Sequence, residues 1–433
     1  MKYLKGIRGM VPFLILSFWV LGLFVNVPAK ATTMLRIKSS IQANLWPSMS
    51  DTDRGGFLEL NSGLPHFALK VKQKDSIDVA FLGGSITHMN GWRQEVMDFL
   101  IHHYPACRFR FLEAGIPSLG SVPHAFRLQT DVLDKMTPDL LFVEAAVNDE
   151  GNGTPPSQQI RALEGIVRHV LLNDINTDIV FMAFADEVKN EGFLKGNPSE
   201  AVKAHQAVAR HYQLPFLNLA KEVFTRIQRG EFSWEKDFKN LHPAPFGQHL
   251  YFKSIKNMFL QAVDKRLQRD DALGGSPNKV LPSPLDVFSY KAGRYISVQE
   301  ATQMKGFSYI ENWTPEDSAH VRSGFVHVPI LQASDLGATL QLDFYGDAVG
   351  LAVAAGPDAG VILYRVDKGE WKYLDLFTRW SQNLHLPWYE ILSDRLENGP
   401  HQLELKLTQR VKGLSKGTAI RIVHFLVNKG SAL

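Results

Sequence analysis

The stretch Ile77-Asp-Val-Ala-Phe-Leu-Gly-Gly-Ser-Ile-Thr-His88 constrains the chain most. Five of the six residues from Ile77 to Leu82 are apolar, which reads as a buried strand. Gly83 and Gly84 free the backbone for a tight turn, Ser85 stands just beyond it, and a helical pattern begins at Gly91-Trp92. A buried strand, a glycine turn and a polar residue ahead of a helix are the parts of the carboxyl-edge crevice in which open α/β sheets place their sites. There Ser85 would lie close to helix N–H groups that favour negative charge. Taken alone, the stretch reads equally well as a βα loop with a helix-capping serine.

From residue 77 onward strands and helices alternate. Trp92, Val96, Phe99, Leu100 and His103 share one helical face, and Arg108–Leu112 reads as a strand. Val122–Met136 reads as a helix ending before Pro138, and Leu140–Val143 as a short buried strand. Ser157–Leu172 follows as a helix with Ile160, Leu163, Val167 and Val170 on a common side. Asp178–Phe184 and Pro215–Leu217 read as strands, Ser199–Tyr212 and about Phe246 to Arg266 as helices. Strands interleaved with helices imply a parallel sheet covered on both faces. We read residues 77–268 as a doubly wound α/β domain and residues 32–76 as a leading arm packed on it.

The pattern changes after Gln268. Asp270-Asp271, Gly274-Gly275-Ser276-Pro277 and Pro282-Ser283-Pro284 punctuate a linker over residues 269–286. Beyond it the period shifts toward two. Leu340, Leu342 and Phe344 alternate with polar residues, as do Leu403, Leu405 and Leu407, and Val361–Val366 and Thr418–Val427 are further strand candidates. Asp367-Lys-Gly-Glu370 has the composition of a hairpin turn. Residues 287–433 therefore read as a smaller all-β sandwich or jelly roll. Two domains also suit 433 residues, too many for one ordinary core.

At the N-terminus Lys2, Lys5 and Arg8 precede an apolar run from Met10 to Val25, and Ala29-Lys30-Ala31 resembles a cleavage site. That layout reads residues 1–31 as a secretory signal peptide, and the protein as secreted or periplasmic. The run falls short of the roughly 20 apolar residues of a membrane span, so no span is expected after cleavage. The chain has 47 basic and 44 acidic side chains. Lys2, Lys5, Arg8 and Lys30 account for the excess, and no basic tail argues for nucleic acid. Cys107 is the only cysteine, which excludes an intramolecular disulfide and suits a small core residue. His102 and His103 occupy adjacent helical positions that point apart, so they make no metal site. Neither metal nor cofactor is expected.

Three further stretches could converge on Ser85 in an α/β fold, though taken singly each also reads as an ordinary turn or loop. Glu144-Ala-Ala-Val-Asn-Asp-Glu150 places Asn148 at a strand's carboxyl end, where a side-chain amide can donate to an oxyanion. Glu113-Ala-Gly-Ile-Pro-Ser-Leu-Gly-Ser121 is a turn-rich loop whose backbone N–H groups suit the same purpose. His242-Pro243 precedes the last helix and supplies a candidate general base. The set resembles the SGNH (GDSL-type) hydrolase superfamily, with its blocks in the same order along a flavodoxin-like domain. Gly83-Gly84-Ser85-Ile86-Thr87 stands for the first block, Asn148 for the asparagine of the third, and His242-Pro243 with Gly247 for the last. The resemblance spans roughly residues 64–260.

That resemblance implies ester hydrolysis through an acyl-enzyme, with Ser85 as nucleophile and His242 as base. It implies an oxyanion hole from Asn148, the Ser85 N–H and the second-block loop at Ser118 and Gly120. Two positions depart from the family pattern. The aspartate usual three residues before the histidine is Lys239, leaving Asp237 as the candidate third member, and the second-block glycine falls on Ser118. Secretion, a β-rich second domain and the resemblance together point to an acylated carbohydrate, in the first place an acetylated polysaccharide, or another small ester. Trp380, Trp388 and Tyr389, in one turn-rich stretch, are candidates for stacking on sugar rings or for filling the sandwich core or domain interface. A noncatalytic glycan-binding protein on a hydrolase fold and an O-acyltransferase using the same serine stay open as alternatives.

Overall fold

The computed structural model describes residues 56–268, 280–408 and 414–430. The expected signal segment, most of the leading arm and the glycine-rich part of the expected linker lie outside the described residues. Among the described residues no helix is long and apolar enough to cross a membrane.

The first domain is built on a six-stranded sheet. Its strands are β1 (Leu58–Glu59), β2 (Ser76–Gly83), β3 (Arg108–Gly115), β4 (Leu140–Glu144), β5 (Asp178–Met182) and β6 (Phe216–Leu217), in the order β1-β6-β5-β4-β2-β3. β2 to β6 run parallel, and β1 pairs antiparallel with β6 at the edge. This is the flavodoxin-like order, with its switch point between β2 and β4. The register brings Gly83 opposite Gly115 and Leu82 opposite Val143, so the loops after β2, β3 and β4 open into one crevice.

The unbroken apolar run of β2 follows from burial on both faces. Val79 and Phe81 face one hydrophobic cluster with Phe142 and Val180, while Ala80 and Leu82 face another with Leu141 and Val143. Phe81 and Phe142 stack at 5.3 Å, and Trp92, opening the helix Trp92–His103, meets both edge-on. The helix Ser121–Leu128 continues through a π-helical turn and stops at Leu133, short of the expected Met136. Residues 58–73, within the expected arm, supply β1 and the helix Pro65–Gln73, whose Phe67 is fully buried.

The C-terminal region is a sandwich of a five-stranded and a seven-stranded sheet. Leu340, Leu342, Leu403 and Leu405 of the first meet Leu351, Val353, Ile422 and Phe425 of the second in one core. The expected turn at Asp367 joins Val361–Val366 to Lys372–Asp375, with Asp367 and Lys368 at φ 52° and 61°, as a tight hairpin requires. The seven-stranded sheet is covered on its other side too. Ala348, Ala352, Ala354, Val423 and Leu426 share a hydrophobic cluster with Phe126, Leu163 and Ile166 of the first domain.

Candidate active site

Ser85 opens a one-turn helix, Ser85–His88, directly after β2. Such a short helix needs its free carbonyls satisfied from outside. Trp92 Nε1 donates to Ile86 O at 3.1 Å, and the buried Arg93 guanidinium donates to Thr87 O while pairing with Glu113 at 2.6 Å. The turn before it is tied to β3, because Ile116 N–H donates to Gly83 O at 3.0 Å. The nucleophile candidate therefore sits on a fixed turn.

The loops after β3 and β4 lock onto that turn. Asn148 lies in the helix Ala146–Asn152, and a Cβ on Gly84 would meet its Nδ2 at 2.1 Å, so glycine is what lets the amide reach the backbone beside Ser85. The neighbouring Asp149 is fully buried, and its Oδ1 accepts from both the N–H and the hydroxyl of Ser121 at 2.8 and 3.0 Å. Burial pushes this carboxyl up to about 7. Gly120 leaves room for the contact, since a Cβ there would come within 2.3 Å of Asp149 Oδ1. Ser118 has a φ of 72°, the left-handed region where the family pattern has glycine. Asn152 Nδ2 holds the Ser118 carbonyl in that conformation at 2.9 Å.

His242 comes from the loop before the helix Pro245–Phe259, and its Nε2 lies 2.7 Å from Ser85 Oγ. Asn240 Oδ1 accepts the His242 N–H at 2.8 Å. Asp237 does not join them in the structure. Its carboxylate accepts the Ser233 N–H at 2.8 Å and closes its own turn, and Lys239, at φ 79°, redirects the chain between it and His242. Ser85 and His242 thus form a pair. Asp237→Asn should leave kcat/KM within about threefold of wild type, whereas replacing a triad aspartate costs about 10⁴-fold. Steady-state kinetics on an aryl acetate separate the two.

Burial, and then the charge of Arg322, hold the His242 imidazole below its ordinary value of 6.5. A general base works as neutral imidazole, and imidazolium prevails only below its pKa. The acid limb of kcat/KM should therefore reach half-maximum below pH 6.5, which a pH–rate profile measures directly.

Arg322 belongs to the sandwich, 80 positions beyond His242, and nothing in its local sequence marks it. The sandwich also contributes the strand Leu384–Ser393. Trp388 and Tyr389 on it line a cleft of about 170 Å³ together with Ser118, Gly120 and Asn152. Trp388 also packs on the sandwich core, and Tyr389 on the domain interface. Trp380 is half-exposed beneath the Arg379 guanidinium, which donates to Gly151 O at the end of the Asn148 helix. His88 Nδ1 lies 3.1 Å from Gly115 O. His103 bonds Asp264, and among the described residues no group of His, Cys, Asp or Glu is placed to hold a metal.

A flavodoxin-ordered sheet with a Ser–His pair and a side-chain amide at its carboxyl edge defines a hydrolase domain of the SGNH type. Residues 81–250 match the GDSL-like lipase/acylhydrolase family. Among solved structures, a two-domain esterase active on acetylated mannans matches at 21% identity over 87% of this chain and 97% of that one, with a TM-score of 0.69. A second structure of such an esterase, co-crystallized with mannopentaose, matches at 20% identity over 87% and 99%, with a TM-score of 0.68. No curated protein matches the chain by sequence. The chain carries a GDSL-like lipase/acylhydrolase domain followed by a β-rich accessory domain, and is a carboxylic ester hydrolase.

Proposed function

We propose that this protein is a secreted esterase that removes acetyl groups from a carbohydrate through an acyl-enzyme on Ser85. The observation that carries the reading is the 2.7 Å approach of His242 Nε2 to Ser85 Oγ beside the Asn148 amide. In this reading Nε2 takes the hydroxyl proton as Oγ attacks the acetyl carbonyl, then returns it to the departing sugar oxygen. The oxyanion is received by Asn148 Nδ2, the Ser85 N–H and backbone N–H groups of the Ser118–Gly120 loop. Water, activated by the same imidazole, then releases acetate. His242 is partly desolvated by its surroundings yet keeps solvent access, which lets water reach the acyl-enzyme and favours hydrolysis over transfer to a second sugar.

Two features support a carbohydrate substrate. The structural neighbours act on acetylated mannans. The sandwich also holds a polar cavity of about 910 Å³, lined by Asn312, Gln332, Asp358, Gln382, Asn383 and His385 among others, donors and acceptors suited to hydroxyl-rich ligands. The basic and apolar N-terminal segment supports export. Acetate release from acetylated polysaccharides that disappears in Ser85→Ala tests the proposal. No release from any sugar or aryl ester by the folded protein would overturn it.

A further inference from the structure

A loop of the sandwich that carries Arg322 rests against the turn that bears Ser85. Arg322 follows the two-residue strand His320–Val321, and its N–H donates to the carbonyl of the buried His385 at 2.8 Å. Three residues on, Phe325 is buried, with its ring centroid 5.7 Å from that of Tyr389. Between them Gly324, at φ 107°, rests on Ile116, where a Cβ would lie 3.3 Å from Cγ2. Ile116 is the residue whose N–H holds the Gly83 carbonyl, two positions before Ser85. The loop is thus anchored at both ends and pressed against the turn that carries the nucleophile.

The Arg322 side chain is exposed, and among the described residues no carboxylate pairs with it. Other arginines of the two domains are engaged. Arg93 pairs with Glu113, Arg127 with Asp131, Arg161 with Asp286 and Asp394, and Arg421 with Asp358. The carboxylate nearest in sequence on the His242 side, Asp237, is spent on the Ser233 N–H, and Lys239 stands where the family pattern has an acid. Arg322 therefore presents its positive charge without a carboxylate partner among the described residues. A guanidinium fork matches a carboxylate in two parallel hydrogen bonds, and an exposed charge at a cleft raises the local concentration of oppositely charged ligands.

We propose that Arg322 is a specificity residue that selects acetyl esters on acidic sugars, binding a uronate carboxylate close to the ester. The inference rests on the esterase reading of Ser85. Acetylated pectin, acetylated mannan and a neutral aryl acetate, each with wild type, Arg322→Gln and Arg322→Lys, test it at low and high salt. Wild type should prefer pectin over mannan in kcat/KM, and the preference should shrink as salt rises. Arg322→Gln should lower the pectin-to-mannan ratio about tenfold, mainly through KM, and Arg322→Lys should restore part of it. An unchanged ratio in Arg322→Gln, or a wild type that shows no preference and no salt effect, overturns the proposal. Loss of the aryl acetate signal from Ser85-intact protein would instead strike the esterase reading itself, so the two failures are distinguishable.

Discussion

Ser85→Ala should reduce kcat on an aryl acetate by about 10⁴-fold or more, with the protein still folded. The expectation follows from geometry in which one hydroxyl has one base. His242 Nε2 lies 2.7 Å from Ser85 Oγ, and no second hydroxyl contacts that imidazole among the described residues. Groups that act as a unit lose their effect together, so His242→Ala should cost about as much as Ser85→Ala, and the double variant little more. The residue of activity would come from the oxyanion donors, which do not depend on the pair. Ser85 is only partly buried and its hydroxyl supports no other element, so circular dichroism and the thermal midpoint should stay near wild type. More than about a tenth of wild-type turnover in Ser85→Ala would remove the acyl-enzyme from consideration. Additive losses in the double variant would show that serine and histidine act separately.

How far the sequence discloses this site depends on whether each residue's role is set locally. Ser85 was legible because a strand buried on both faces and a glycine turn are properties of neighbouring residues. Asn148 was legible as a position after a strand, yet the helix Ala146–Asn152 that carries it was not. Its two asparagines, aspartate and glycine are weak helix formers, and tertiary contacts through Asn148, Asp149 and Asn152 hold it instead. Asp237 looked suitable by proximity in sequence, but a left-handed Lys239 and the Ser233 N–H decide where its carboxylate goes.

The strand Leu384–Ser393 and the strand Ala348–Ala355 were hidden for the opposite reason. Both faces of the seven-stranded sheet are covered, so the alternation that exposes Leu340 and Leu403 is absent there. The Arg322 loop lies furthest from legibility, because only the docking of one domain on the other gives it a neighbour at the active site.

That docking is close enough for a small side chain to disturb it, and Gly165→Val is the variant expected to show it. Gly165 lies in the middle of the helix Pro156–Asn173, and a Cβ there would come within 2.7 to 2.9 Å of the backbone of Tyr290. Backbone cannot rotate away as a side chain can. Tyr290 is itself fixed, with its ring 5.0 Å from Phe126, its N–H on Arg161 O at 3.2 Å and its hydroxyl on Asp394 at 3.0 Å. Glu164, one position earlier, accepts the Leu285 and Asp286 N–H groups at 2.6 and 2.8 Å, so the segment entering the sandwich lies along this helix. Replacing a helical glycine normally stabilises by up to about 1 kcal/mol. Overpacking against immobile backbone costs about 1 to 3 kcal/mol and should win, lowering the thermal midpoint by roughly 2 to 8 °C. Because the displaced segment leads to the loop that rests on Ile116, turnover of acetylated glycans should fall further than stability alone predicts. Scanning calorimetry beside glycan kinetics at a temperature well below the midpoint measures both. A midpoint equal to or above wild type would mean that the two domains are not packed through Gly165 and Tyr290.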